Sequence, residues 1–231
     1  NLAAKRIVFG KLLNAGQTCI APDYVLIDKK VKTQFIEYIK KYISEFLGED
    51  IINNEEYPQI INNTHFNRLK TLLNGQNIIM GGKCNEKLLK IEPTLIDNPE
   101  KKSDVMNQEI FGPILPITDY NNIEEAIEYI KSYEKPLALY LFTTNKHVQR
   151  KILNNISFGG GCINDTIIHI ANSNMSFGGV GYSGTGGYHG KASFDTFSHT
   201  RSITKRFTLD LPLRYMPYSN IKDKTIKMFM K

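Results

Sequence analysis

Cysteine is scarce in this chain of 231 residues: only Cys19, Cys84 and Cys162 occur, an odd number set far apart. That count argues against a disulfide framework, and the spacing does not make a zinc site. Reduced thiols in a cytoplasmic protein are the natural expectation. No apolar run approaches the roughly 20 residues a membrane-spanning helix needs. A secretory leader and an initiator Met are also lacking: the chain opens NLAAKRIVFG, inside a helical pattern. The expectation is therefore a piece of a longer polypeptide. The formal charge of +6 comes from lysines scattered over predicted helix surfaces, without the interleaved arginines and aromatics of a nucleic-acid-binding face. No internal repeat is found.

What is present suits one hydrophobic core, or one core with an appendage. Helical spacing of Ile7, Val8 and Leu12 predicts a helix over 2–13, with Gly16 as a stop. Residues 24–27 read as a strand. Phe35, Ile36, Ile39, Ile43 and Phe46 form the apolar stripe of a helix over 31–47. A loop rich in Asn, Glu and Pro follows over 48–63, then a helix over 64–73. Strands are predicted at 77–80, 93–96, 114–117, 137–142 and from 161, with helices over 123–133 and 146–154. Strands alternating with short helices imply an α/β fold, with a mostly parallel sheet covered by helices on both faces. This domain is expected to span 1–197. Residues 198–231 then supply an extended strand over 200–209, alternating Ile203, Phe207 and Leu209, and a frayed tail from 212. That tail holds Lys222, Lys224, Lys227 and Lys231 beside Met228 and Phe229, a composition that suits solvent better than a membrane surface.

The segment LNAGQTCIAPD places Cys19 in a short loop between a helix ending at Gly16 and a strand starting at Tyr24. Such a loop projects a thiol with little freedom to wander. Only the thiolate is nucleophilic, and backbone N–H groups of a turn can hold negative charge on a bound oxygen. Composition alone favours a buried structural cysteine. The run FGGVGYSGTGGYHG contains no GxxxxGK and does not lead from a strand into a helix, so it reads as tight turns rather than a phosphate cradle.

Five motifs in order carry a family resemblance. GQTC followed by IAPDY resembles the cysteine segment of the aldehyde dehydrogenase superfamily. EIFGP at 109–113, PLALY at 136–140, GGGCIND at 159–165, and the stretch from FGGVG at 177–181 to YHGKASFDTFSH at 188–199 are similar to later segments of that family. The last is similar to the class 3, fatty-aldehyde branch. The resemblance implies an aldehyde oxidised to a carboxylic acid with NAD or NADP, through a thiohemiacetal and a thioester on Cys19. It implies that Glu109 accepts hydrogen bonds from the nicotinamide ribose and that Phe111 packs beside it, where the residues alone read as a surface Glu and a packed aromatic. Asn164 is implied to support the active-site loops. His169 is expected near the aldehyde entrance without acting as a base, and His189 and His199 are expected to be structural.

The resemblance also implies parts that precede the cysteine: the nucleotide-binding domain, a general-base glutamate in an ELGG-type motif, and an oxyanion asparagine. Only eighteen residues precede Cys19, and none is acidic. The chain is thus expected to be the catalytic half of such an enzyme, inactive alone and homodimeric when intact. Two other readings stand beside it: a dimerisation or folding module, and a cysteine hydrolase pairing Cys19 with His169 or His189.

Overall fold

The computed structural model describes residues 1–210 and 212–230. The chain divides into two compact units, Asn1–Phe197 and Ser198–Lys231. The first opens with α1 (Leu2–Leu12), a 3-10 turn (Leu13–Gly16), β1 (Val25–Asp28) and α2 (Lys32–Leu47). After a turn-rich loop come α3 (Asn63–Leu72), β2 (Ile78–Met80), β3 (Cys84–Asn85), β4 (Lys90–Ile91), β5 (Thr94–Asp97), the single turn α4 (Asp104–Asn107) and β6 (Ile114–Tyr120). Then follow α5 (Ile123–Lys131), β7 (Ala138–Leu141), α6 (Lys146–Asn155), β8 (Gly160–Ile163) and α7 (Gly190–Thr196).

Local chemistry explains where these elements start. Asn62, Asn122 and Asn145 cap α3, α5 and α6, each side chain accepting from backbone N–H groups of the first turn. The loop before α3 is anchored by buried Ile51, Tyr57 and Ile60, and the Tyr57 hydroxyl donates to the Ile91 carbonyl at 2.8 Å.

The main sheet runs in the order β1-β6-β5-β2, with β1, β6 and β5 parallel and β2 antiparallel at one edge. The α/β expectation holds, with a refinement: β7 and β8 form a separate parallel pair. Between β2 and β5 the chain makes the β3–β4 hairpin. Ile114, Leu115 and Ile117 of β6 and Leu95 and Ile96 of β5 are buried with Ile39 and Ile43 of α2 and Leu69 of α3. Burying each such side chain contributes about 1.5–3 kcal/mol. A second small core joins Ile20, Ile167 and Phe177, and a third joins α5 and α6 to β7.

The second unit departs from expectation. Residues 200–209 form no strand; Ile203, Phe207 and Leu209 are exposed. A strand requires a hydrogen-bonding neighbour, and none of the described strands pairs with this segment. The expected frayed tail instead contains a 3-10 turn (Pro212–Arg214) and α8 (Asn220–Phe229). Ser219 caps α8, and Lys222 donates to the carbonyls of Tyr215 and Pro217. Lys231 lies outside the described residues. No described helix is long and apolar enough to cross a membrane.

A charged clasp closes the sheet beside α2. The Lys32 ammonium lies 2.5 Å from both Asp97, ending β5, and Asp119 in β6, with only 11% of its side chain exposed. Hydrogen bonds from Lys32 and Asn98 hold the Asp119 carboxyl below its ordinary range. A depressed carboxylate stabilises the fold above its unfolded pKa, and that contribution is lost as pH falls through the folded value. Lys32→Met should therefore cost about 3 kcal/mol at pH 7 by leaving two carboxylates unpaired. In urea titrations the gap to the parent should close below about pH 4; a gap independent of pH would contradict this.

Candidate active site

The Cys19 segment is a β-turn: the Ala21 N–H donates to the Thr18 carbonyl at 3.0 Å, placing Cys19 and Ile20 at the two central positions. Cys19 is exposed while Ile20 is 1% exposed, so the turn is hooked into the small core by one side chain and presents the sulfur with the other. The structural-cysteine alternative therefore fails for Cys19. Before the turn, Asn14 and Ala15 adopt positive φ, which ends the helical path early. Gln17 then fixes the strand of chain entering the turn. Its amide donates to the carbonyls of Asn14 and Gln59 and accepts from the Ile61 N–H at 2.9 Å.

The segment 109–113 is brought to this turn by two contacts. Asp23, four residues after the cysteine, accepts from the Ile110 N–H at 3.1 Å. Gly16, three residues before it, lies so close to the Gly112 carbonyl that an added Cβ would sit 2.3 Å from that oxygen. Arg68 of α3 braces the same segment by donating to the carbonyls of Glu109 and Ile110 at 3.2 and 2.6 Å. Glu109 and Phe111 are exposed, and Phe111 takes a positive φ of 49°. Burial of its carboxyl, and then the charge of Asp23, pushes the pKa of Glu109 upward, with Arg68 pulling it down. Beneath lies Lys11, 4% exposed. Desolvation lowers its pKa to about 8, and the Asp23 charge opposes that shift.

The β7–β8 pair bounds the other side of the turn. Asn164, just after β8, accepts from the Thr143 N–H and donates to the Thr143 carbonyl, and its own carbonyl accepts from Arg6 of α1. His169 is 8% exposed, with its ring against Tyr140 and Phe177 and its Nδ1 3.6 Å from the Cys162 sulfur. The 3-10 turn Ile168–Ala171 folds this histidine inward. Burial lowers its pKa. His189 stacks near Phe177 and Tyr188, while His199 is exposed. The glycine-rich run closes on itself through the Phe177–Tyr188 bridge.

Sequence reasoning did not single out Gln17, Asp23, Arg68 or Tyr140 as parts of this arrangement. Gln17, Asp23 and Tyr140 carry the signal that was available, since they lie inside the GQTC, IAPDY and PLALY motifs. The Gly16 contact yields a test with an internal control. Gly75→Ala, at φ +71 with nothing within 4 Å of the new methyl, should cost only backbone strain, about 1 kcal/mol. Gly16→Ala, at φ +72, should cost about 2–4 kcal/mol because the methyl also displaces the Gly112 carbonyl. Equal losses on urea denaturation would show that the two segments do not press on each other.

The chain matches the aldehyde dehydrogenase family over residues 1–203. It is 48% identical to 4,4'-diaponeurosporen-aldehyde dehydrogenase of Staphylococcus aureus, covering 100% of this chain and 50% of that protein. It is 43% identical to aldehyde dehydrogenase family 3 member A2 of Mus musculus, covering 100% and 48%. With the dimeric NADP-preferring aldehyde dehydrogenase of Rattus norvegicus it shares 46% identity over 91% and 46%. The chain thus spans about half the length of these relatives. Among solved structures, it superposes on the substrate-bound state of Staphylococcus aureus AldH with a TM-score of 0.95 and 47% identity, over 100% of this chain and 51% of that one. Lactaldehyde dehydrogenase from Escherichia coli follows the same fold with a TM-score of 0.76 at 26% identity, over 85% and 42%. From the ordered motifs to these matches, the chain belongs to the aldehyde dehydrogenase family.

Proposed function

We propose that this chain carries the nucleophile and the nicotinamide-facing edge of an enzyme that oxidises aldehydes to carboxylic acids with NAD or NADP. The observation that carries this reading is the junction of two segments: Asp23 and Gly16, on either side of Cys19, hold residues 109–113 against the turn. An exposed thiol and an exposed carboxylate with an adjacent aromatic thereby stand on two joined segments.

Cys19, as thiolate, adds to the aldehyde carbon; a C–S bond forms, the carbonyl π pair moves onto oxygen, and a thiohemiacetal results. The backbone N–H of Cys19, which has no acceptor among the described residues, is free to hold that oxygen. NAD(P), when bound, supplies the acceptor for the hydride leaving the former aldehyde carbon. Glu109 and Phe111 fit the ribose end of that group: an exposed acceptor and an exposed ring on a segment braced by Arg68. Water then cleaves the thioester, releasing the acid and freeing the sulfur. Asn164 acts on this scheme by holding the chain after β7 to the chain after β8. The hydrolase alternative gains no support, because His169 engages Cys162.

The 231-residue chain by itself brings no carboxylate in the eighteen residues before Cys19, so the acyl-enzyme should form and then hydrolyse slowly. In a homodimer, the unpaired segment 200–209 would find its missing neighbour in a second copy. Three free thiols suit a reducing cytoplasm.

The test is p-nitrophenyl acetate with the chain alone. One equivalent of p-nitrophenolate should appear as a burst, peptide mass spectrometry should place the acetyl on Cys19, and Cys19→Ser should abolish both. NAD(P)-dependent oxidation of a medium-chain aldehyde should be undetectable. A burst that survives Cys19→Ser, or aldehyde turnover near the roughly 1 s⁻¹ of a whole enzyme, would overturn the reading.

A further inference from the structure

The turn that bears Cys19 is held on its entering side by Gln17, but the element that holds its leaving side belongs to a different sheet. Tyr140, in β7, donates its hydroxyl to the Ile20 carbonyl at 2.7 Å across 120 residues of sequence. Ile20 occupies the second central position of the turn, directly after the cysteine. Its side chain is buried against Ile167 and Phe177, so both ends of this residue, side chain and carbonyl, are fixed.

The tyrosine is itself well seated. Its ring meets His169 edge-on at 5.8 Å between centroids, and the His169 ring in turn lies 5.9 Å from Phe177. Burial pushes the pKa of the Tyr140 hydroxyl up, so the group stays a donor through neutral pH. Through its ring and its hydroxyl, Tyr140 therefore links β7, the segment after β8 and the Cys19 turn.

The geometry points to Tyr140 as a positioning residue of the nucleophile: its hydroxyl fixes the Ile20–Ala21 peptide, and through the Thr18–Ala21 turn it fixes the direction of the Cys19 N–H. This rests on the reading of Cys19 as the nucleophile and of its N–H as an oxyanion donor. The physical reason is that a β-turn rotates most easily by flipping one of its peptides. Removing the Ile20 carbonyl anchor would let the peptide after Ile20 turn and release the Ala21–Thr18 bond, while leaving the sulfur as exposed as before. A misplaced oxyanion donor weakens addition to a carbonyl, but it does not affect displacement at a saturated carbon, where no oxyanion forms.

Two reagents separate these effects on the 231-residue chain. With p-nitrophenyl acetate, the Cys19 thiolate forms a C–S bond to the acetyl carbon, an alkoxide develops on oxygen, and p-nitrophenolate leaves with the electron pair of the broken C–O bond. With iodoacetamide, the same thiolate displaces iodide without an oxyanion. Tyr140→Phe keeps the ring and loses only the hydroxyl. We expect acetylation of Cys19, followed by peptide mass spectrometry, to slow by roughly tenfold or more, with alkylation within about twofold of the parent. Tyr57→Phe, which deletes a comparable buried hydroxyl-to-carbonyl bond of 2.8 Å outside this turn, should leave both rates unchanged.

Equal rates for Tyr140→Phe and the parent with both reagents would overturn the proposal. So would parallel slowing of both reactions, or a Tyr140→Phe chain without a cooperative unfolding transition, since each would assign the hydroxyl to the core at large. If Cys19 of the parent is not acetylated in preference to Cys84 and Cys162, the nucleophile reading fails instead, and the two failures are told apart by that control.

Discussion

The hydrogen bond from the Ile110 N–H to Asp23, together with the close approach of Gly16 to the Gly112 carbonyl, is the constraint on which the rest of the site depends. These contacts straddle Cys19 in sequence and meet one short segment that leads into the strand neighbouring β1. β1 leads away from the Cys19 turn and β6 begins just after Pro113, and the two strands run parallel and hydrogen-bonded. The sheet therefore sets the distance between the turn and the 109–113 segment, and Asp23 and Gly16 set their final register. Neither contact is large energetically. A net hydrogen bond contributes about 1 kcal/mol, and the hydrophobic core beneath supplies the bulk of the stability. Their effect is to convert a stable sheet into a defined juxtaposition of a thiol and a carboxylate.

The charged groups around this junction are arranged at some cost. Lys11 and Asp23 are both shifted toward neutrality by burial, and each charge partly offsets the shift of the other. Arg68 stays at the rim and donates to two backbone carbonyls. Turn, 109–113 segment and supporting charges thus form one unit rather than three neighbouring features.

Much of this was legible in the sequence because it follows from local rules. The stripe of Phe35, Ile39 and Ile43 could only be one helix face, and Gly16 followed by an apolar strand could only be a stop and a new element. The five motifs placed Cys19, Glu109, Phe111 and Asn164 before any coordinates. What escaped depended on contacts distant in sequence. Tyr140 reads as one more strand residue until its hydroxyl is seen at Ile20. His169 reads as a loop histidine until Tyr140 and Phe177 enclose it. The 200–209 segment has the alternation of a strand but no described neighbour to pair with, and alternation alone does not supply one. The helix Asn220–Phe229 was masked by its lysines, although Ser219 and Asp223 stand where an N-terminal cap and an acidic first turn belong.

The central claim is that the Cys19 turn and residues 109–111 are one site. It can be tested by placing a nitroxide on Cys19 in a chain carrying Cys84→Ser and Cys162→Ser, and recording paramagnetic broadening of backbone amide signals. The account predicts that the amides of Glu109, Ile110 and Phe111 broaden strongly and recover when the nitroxide is reduced. Sharp signals from those three amides, with broadening confined to other parts of the chain, would contradict it.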